Sequence, residues 1–295
     1  MRNVRLFKIN IVLIYVIATI FPIYGNAQKH KTDWEKYGLK GKVKSFNEAV
    51  FDDAEKAGKP LNIDSADEDI HQYEFDSIGH LTRERVFTLG SLRNEEWRYK
   101  YSKNGELTDK ISYNTKFDKG ESYIGEEDST HFKYDSSGND IEEDAYYPNG
   151  ELIVKYLYGC DKAGNRTSEK VEVANGMSHT NFEYKYDQRG NKIEEKWEGE
   201  CEGCPPQGAK YIYTYNDKNV LIEEKEFKGA FTKNYTDRSV YYYDANGILI
   251  ATDLYDTNGT LLQKMEYDYM RDKSGNWIKK IEGKKITKRE IEYYK

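Results

Sequence analysis

One phrase recurs eight times between residues 73 and 278, and it constrains the fold more than any other feature of the chain. It reads YEFDSIGHL from Tyr73, YKYSKNGEL from Tyr99, FKYDSSGNDI from Phe132, YGCDKAGNRT from Tyr158, YKYDQRGNKI from Tyr184, YTYNDKNVLI from Tyr213, YYYDANGILI from Tyr241 and YDYMRDKSGNWI from Tyr267. The punctuating residues are Gly79, Gly105, Gly138, Gly164, Gly190, Asn219, Gly247 and Gly275, spaced by 26, 33, 26, 26, 29, 28 and 28 residues. A fixed period in this range marks an array in which each unit buries its apolar face against the next. Six positions before each of these residues stands an aromatic: Tyr73, Tyr99, Phe132, Tyr158, Tyr184, Tyr213, Tyr241 and Tyr269. Four before stand Phe75, Tyr101, Tyr134, Cys160, Tyr186, Tyr215, Tyr243 and Arg271. Columns two residues apart share one face of a strand.

The turn between strands is written in the same phrase. Three positions before the Gly come Asp76, Asp135, Asp161, Asp187, Asp244 and Asp272, replaced by Ser102 and Asn216 in two copies. A short side chain there accepts hydrogen bonds from the N–H groups of the turn, and Gly closes it in the left-handed region. Asn219 is the natural substitute, since Asn tolerates that conformation better than other residues. An outgoing strand follows, with an apolar residue three past the turn at Ile141, Ile193, Ile222, Ile250 and Ile278. A weaker set of turns at Gly120, Gly150, Gly176, Gly229 and Gly259 lies between the main ones, so each repeat is read as two strands and two turns. Composition agrees: the 27 Tyr and 11 Phe suit pleated strands and are far too many for a disordered chain.

Before the repeats, Arg2, Arg5 and Lys8 precede an apolar run over residues 9–24, and Gly25-Asn26-Ala27 offers small residues for cleavage. Residues 1–27 therefore read as a signal peptide, too short in its apolar run to span a bilayer, and the mature chain is expected to be exported. The destination is periplasmic, cell-surface or extracellular. Losing three basic residues takes the formal net charge from −7 to −10. Such a surface repels phosphate backbones and anionic membranes, so no nucleic acid and no membrane insertion after cleavage are expected.

The YxYDxxGN phrase, repeated head to tail over residues 71–295, resembles the YD repeat of Rhs and teneurin proteins. The resemblance implies an all-β fold: an antiparallel β-meander of tandem hairpins winding into a curved or spiral, β-solenoid-like sheet, with Tyr rings stacked between hairpins. Only 20 residues follow Gly275, and no Asp-Pro pair of the self-cleaving type is present, so the expectation is a short exported form without the toxin domain that large Rhs proteins enclose. The NGEL and NGTLL turns also resemble MORN-like repeats. Residues 28–70 read as an N-terminal cap, with a capping strand from Lys42 and an acidic loop ending in Asp64, Asp67, Glu68 and Asp69; the loop spacing matches no EF-hand.

Chemistry-bearing motifs are few. Cys201 and Cys204 lie in a β turn rather than at a strand-to-helix junction, so in an exported protein a disulfide that staples the loop is favoured over redox or zinc chemistry. Cys160 sits in an aromatic column and reads as a structural thiol. The five His residues form no ligating pair, and no GxSxG, P-loop or GxGxxG occurs; no catalytic residue, metal or cofactor is assigned. Adjacent carboxylates such as Glu142-Glu143, Glu194-Glu195 and Glu223-Glu224 point to opposite faces of their strands, which disfavours a hydrolase. Aromatic side chains outside the columns remain, and Trp97, Trp197 and Trp277 are the candidate ligand contacts. The function read from the sequence is a non-catalytic exported module that binds carbohydrate or a cell-envelope partner such as a surface protein. The alternative is a scaffold that pairs a free sheet edge with another protein.

Overall fold

The computed structural model describes residues 32–61, 66–88, 94–118, 121–174, 176, 178–201, 207–228 and 234–295. The expected signal peptide and Cys204 lie outside them. Two single-turn helices, α1 (Asp33–Lys36) and α2 (Ala54–Ala57), flank the first strand, β1 (Val43–Phe51). Eight hairpins follow: β2 (Ile70–Phe75) with β3 (Leu81–Phe87), β4 (Asn94–Tyr101) with β5 (Leu107–Asp118), β6 (Glu121–Tyr134) with β7 (Asp140–Tyr146), and β8 (Leu152–Cys160) with β9 (Arg166–Val173). The remaining four are β10 (Ser178–Tyr186) with β11 (Lys192–Cys201), β12 (Gln207–Tyr215) with β13 (Leu221–Lys228), β14 (Asp237–Tyr243) with β15 (Leu249–Tyr255), and β16 (Leu261–Arg271) with β17 (Trp277–Glu282). The last strand is β18 (Lys285–Tyr293).

Every strand pairs antiparallel with the strands before and after it, and β1 pairs with both β2 and β18. The 18 strands therefore form a closed barrel, and the open curved or spiral sheet of a YD-repeat or MORN-like protein is overturned. The strand that closes the ring is the segment read as a cap. Val43 to Phe51 lies antiparallel to Tyr293 to Ile286 on one side, and Ser45 to Glu48 faces Glu74 to His71 on the other. Closure removes two unpaired edges, which an open array must blunt or cover.

The repeat supplies the curvature. In each of the eight hairpins the register slips by one residue next to the second column, for example at Glu74/Phe75, Lys133/Tyr134 and Lys185/Tyr186. The extra residue is the third after the turn Gly, so the Ile column of the outgoing strand is a column of β-bulges. Thr82, Thr108 and Thr167 occupy it in other copies, their hydroxyls donating to the carbonyls of Glu74, Lys100 and Gly159 at 3.1 to 3.2 Å. A bulge sharpens local twist and bends the strand, and one per hairpin at one end of the sheet is a device for rolling it up.

The turns themselves follow the sequence logic. Asp135 Oδ1 accepts from the N–H groups of Ser137 and Asn139, while the Asn139 amide donates to Oδ2 at 2.8 Å. Asn219, at φ 61°, is the only described residue other than Gly with positive φ. Close approach also demands Gly: a Cβ on Gly164 would stand 2.8 Å from Asn139 Oδ1 of the preceding turn, and one on Gly79 would stand 2.7 Å from the Trp34 ring. The main turns thus lean on one another around one rim of the barrel.

Candidate functional site

Alternation sorts each strand into two walls of different chemistry. One wall carries both aromatic columns and is the enclosed, lumen side, since Tyr99, Arg166 and Glu224 are deeply surrounded there; the other, where Lys133 and Lys185 stand open, faces outward. On the lumen wall, the first-column Tyr of one repeat reaches the Glu of the repeat before it. Tyr99 donates to Glu84 at 3.0 Å, Tyr158 to Glu143 at 2.8 Å, Tyr184 to Glu169 at 3.1 Å, Tyr213 to Glu195 at 3.4 Å and Tyr241 to Glu224 at 3.2 Å. The second column makes a parallel hoop: Tyr101, Tyr134, Tyr186 and Tyr215 donate to the carbonyls of Leu81, Leu107, Arg166 and Lys192 at 2.7 to 2.9 Å. Buried phenol hydroxyls need such partners. Each hydrogen bond joins one hairpin to the next.

Cations complete the hoops. The Arg166 guanidinium lies 3.4 Å above the Tyr158 ring, and Lys192 stands between the rings of Tyr184 and Tyr213 at 5.4 and 5.1 Å. Arg166 also meets Asp140 at 3.2 Å and Glu169 at 3.4 Å. Burial, and next a hydrogen bond with Glu143, push the Asp140 carboxyl up to about 7. Burial likewise raises Glu169 and Glu224 above the usual carboxylate range.

The outward wall is ionic. Lys133 and Lys155 each bridge Glu142 and Asp144, at 2.5 to 3.0 Å. Lys185 pairs with Glu194 at 2.7 Å, and Arg238 and Lys225 meet at Glu223. Its apolar exception lies on β1, where Ala49 and Phe51 pack with Ile70 and Ile286 under Ala57 and Ala66 of the β1–β2 connection. The adjacent Glu residues of the sequence are thereby split: Glu142, Glu194 and Glu223 go outward, Glu143, Glu195 and Glu224 inward.

One rim is covered. Residues 32–42 cross the two main turns that flank β1: the Asp33 and Trp34 N–H groups donate to the Gly79 carbonyl, and the Lys40 N–H donates to Asn276. Tyr37 descends from this strap onto Phe46, Tyr73 and Phe75, with ring centroids 5.1 to 5.9 Å apart. Leu39, Val43, Phe46, Phe75 and Leu81 form the buried cluster beneath it.

The sequence-predicted contacts fall in three separate sectors of the lumen wall. Trp97 on β4 lies under Lys110 at 5.7 Å. Trp197 on β11 stands opposite Phe182. Trp277 on β17 is stacked by Arg289 at 3.6 Å and edged by Tyr269. Cys201 ends β11, and Cys160 is a free, half-buried thiol whose pKa is raised by burial. The inward Glu residues are what sequence reasoning missed. Their signal is the residue directly opposite the aromatic column, visible only once the bulge is placed in the register.

No protein-family model matches the sequence, and no curated protein matches it. Among solved structures, the chain is similar to a porin-like protein from Bacteroides uniformis at 10% identity and a TM-score of 0.44, covering 85% of this chain and 98% of that one. A porin-like protein from Bacteroides vulgatus gives 11% identity and a TM-score of 0.28, with 86% and 99% covered. A chain of a TcdB2-TccC3-Cdc42 structure gives 14% identity and a TM-score of 0.35 over 83% of this chain and 15% of that one.

Proposed function

We propose that this chain is an exported, non-catalytic barrel of the cell envelope that works in water and binds a hydroxyl-rich ligand, a carbohydrate, on its lumen wall. The observation that carries the reading is the asymmetry of the two walls. A lipid-facing barrel wall is apolar, and a Lys or Arg at the bilayer midplane costs about 2–4 kcal/mol. Here Lys133, Lys155, Lys185 and Arg238 occupy the outward wall in cross-strand ion pairs, which suits solvent. The lumen offers what sugar rings require: aromatic faces for stacking and carboxylates to accept hydroxyl protons.

A hydrolase is disfavoured by how close the convergent carboxyls stand among the described residues, Asp140 with Glu143 inside and Glu142 with Asp144 outside. Asp140 and Glu143 are hydrogen-bonded to each other, whereas glycosidase carboxyls stand about 5–9.5 Å apart across the bond they cleave. The edge-pairing scaffold is disfavoured because each strand already has two neighbours.

Two measurements test the proposal. The protein is expected to leave membranes in alkaline carbonate without detergent, and a requirement for detergent overturns the wall argument. A glycan array with folded protein is expected to give hits that Trp97→Ala or Trp197→Ala weakens; an empty array removes the carbohydrate reading.

A further inference from the structure

We propose that the cavity beneath the strap of residues 32–42 is a site for a small organic ammonium ion. This assignment is independent of the carbohydrate reading. The cavity has a volume of about 460 Å³ and is walled by Tyr37, Phe46, Tyr73, Tyr99 and Tyr101. That volume suits a small ligand, and aromatic faces present negative charge to whatever they enclose.

The ionised groups around it leave one carboxylate beside the rings without an ion-pair partner. Asp33 is held by Lys36 at 2.8 Å, by the Leu81 N–H and by the Tyr101 hydroxyl at 2.9 Å. Glu48 accepts from Arg289 at 2.7 Å. Arg289 is only 7% exposed, with its guanidinium stacked between Trp277 at 3.6 Å and Phe46 at 4.7 Å. The two cations that line the cavity, Lys36 and Arg289, are therefore committed, and a third, Lys110, lies over the rings of Tyr99 and Trp97 at 5.9 and 5.7 Å without an ion pair to Glu84. Glu84 lies just behind the lining, next to Tyr73 and Tyr99. It stands between Tyr73 and Trp97 across the strands, accepts from the Tyr99 hydroxyl at 3.0 Å, and has no ion pair among the described residues. Burial, followed by Glu84 or Asp33, holds the Tyr37, Tyr73, Tyr99 and Tyr101 phenols well above their ordinary range. The Glu84 and Asp33 charges that oppose a phenolate favour a cation, while burial opposes both, as it does at Arg289, and so selects a cation that is weakly hydrated. An ammonium group with an apolar coat satisfies both the rings and the carboxylate, as quaternary ammonium ions do in aromatic cages.

The test is a calorimetric titration of the full chain with choline and with its neutral isostere, 3,3-dimethylbutan-1-ol. Choline is expected to bind at least about 10-fold more tightly, since a desolvated cation–π contact contributes on the order of that difference. Glu84→Gln is expected to remove the preference, and Glu143→Gln, on a distant sector of the wall, to preserve it. Tyr37→Leu, which removes one ring from the strap and leaves the barrel strands unaltered, provides the readout if Glu84→Gln does not fold, and is expected to weaken choline. Equal affinity for the two probes, absence of choline binding to folded wild-type protein, or choline binding unchanged in the folded variants overturns the proposal. Trp97 stands directly opposite Glu84, so the comparison uses Trp197: competition by glycans that bind there is not expected, and that contact and the ammonium site fail or stand separately.

Discussion

Glu142 and Glu143 are neighbours in sequence and identical in chemistry, yet they are handled by different physics. Glu142 faces out and is shared by two Lys side chains that keep their heads in water. Glu143 faces in and accepts from the Tyr158 hydroxyl at 2.8 Å, beside a proton-sharing Asp140. Solvent screens the first, so its ion pairs tolerate change. The second has been taken from water and depends on fixed partners, because a buried carboxylate without them is costly. The same contrast repeats at Glu194-Glu195 and Glu223-Glu224. One strand therefore carries a solvated, exchangeable lattice on one side and a wired one on the other.

The largest test of this contrast is on the closing strand. Phe46 is 1% exposed on the lumen side, and Phe46→Ala is expected to cost about 3–5 kcal/mol, the range for buried Phe truncations. Chemical denaturation checks it, and a loss below about 1 kcal/mol would mean that the lumen wall is not packed as described.

Next in size is the pH dependence supplied by Asp140. Its folded carboxyl titrates near 7, against an ordinary value of 3.8. The folded state therefore keeps a proton that the unfolded chain has released. Its contribution is complete below pH 4 and is lost as pH rises to 7 and beyond. Asp140→Asn is expected to flatten the melting temperature over this window relative to wild type, and parallel curves would show that Asp140 ionises normally.

A smaller effect is expected from Tyr158→Phe, which removes the hydroxyl from Glu143 and keeps the ring under Arg166. A single hydrogen bond to a charged group is worth about 1.5–3 kcal/mol, and chemical denaturation should show a loss in that range; no loss would mean that the hydroxyl is not wired to Glu143. Smallest of all is Glu194→Gln on the outer wall, opposite fully exposed Lys185. Its midpoint should stay within error of wild type in high salt, and a clear loss there would break the distinction between the walls.

Much of the wall was legible before the structure. The aromatic columns, the Asp and Gly of the turn, and the opposite faces of adjacent Glu residues are all local signals, set by periods of two and by turn geometry. The ring was not legible. Its closing strand has no copy of the repeat, and it pairs Val43 with Tyr293, some 250 residues away. The bulge hid as a column of Ile because an apolar residue on a strand is ordinarily read as core, whereas Ile141 and Ile250 are 37% and 42% exposed. For the same reason the three Trp residues were visible as candidates, while the Glu groups opposite the columns were not.

The pairing of β1 with β18 has one more consequence. As the chain emerges from its amino end, the first strand made must wait for the last before it has two neighbours. Until residue 293 arrives, each growing intermediate is a sheet with raw margins, and no subset of hairpins can seal itself. Contacts this remote in sequence slow folding, and open strand margins invite pairing with the wrong chain. The barrel is thus most vulnerable during its own synthesis, and that vulnerability ends in a single closing step.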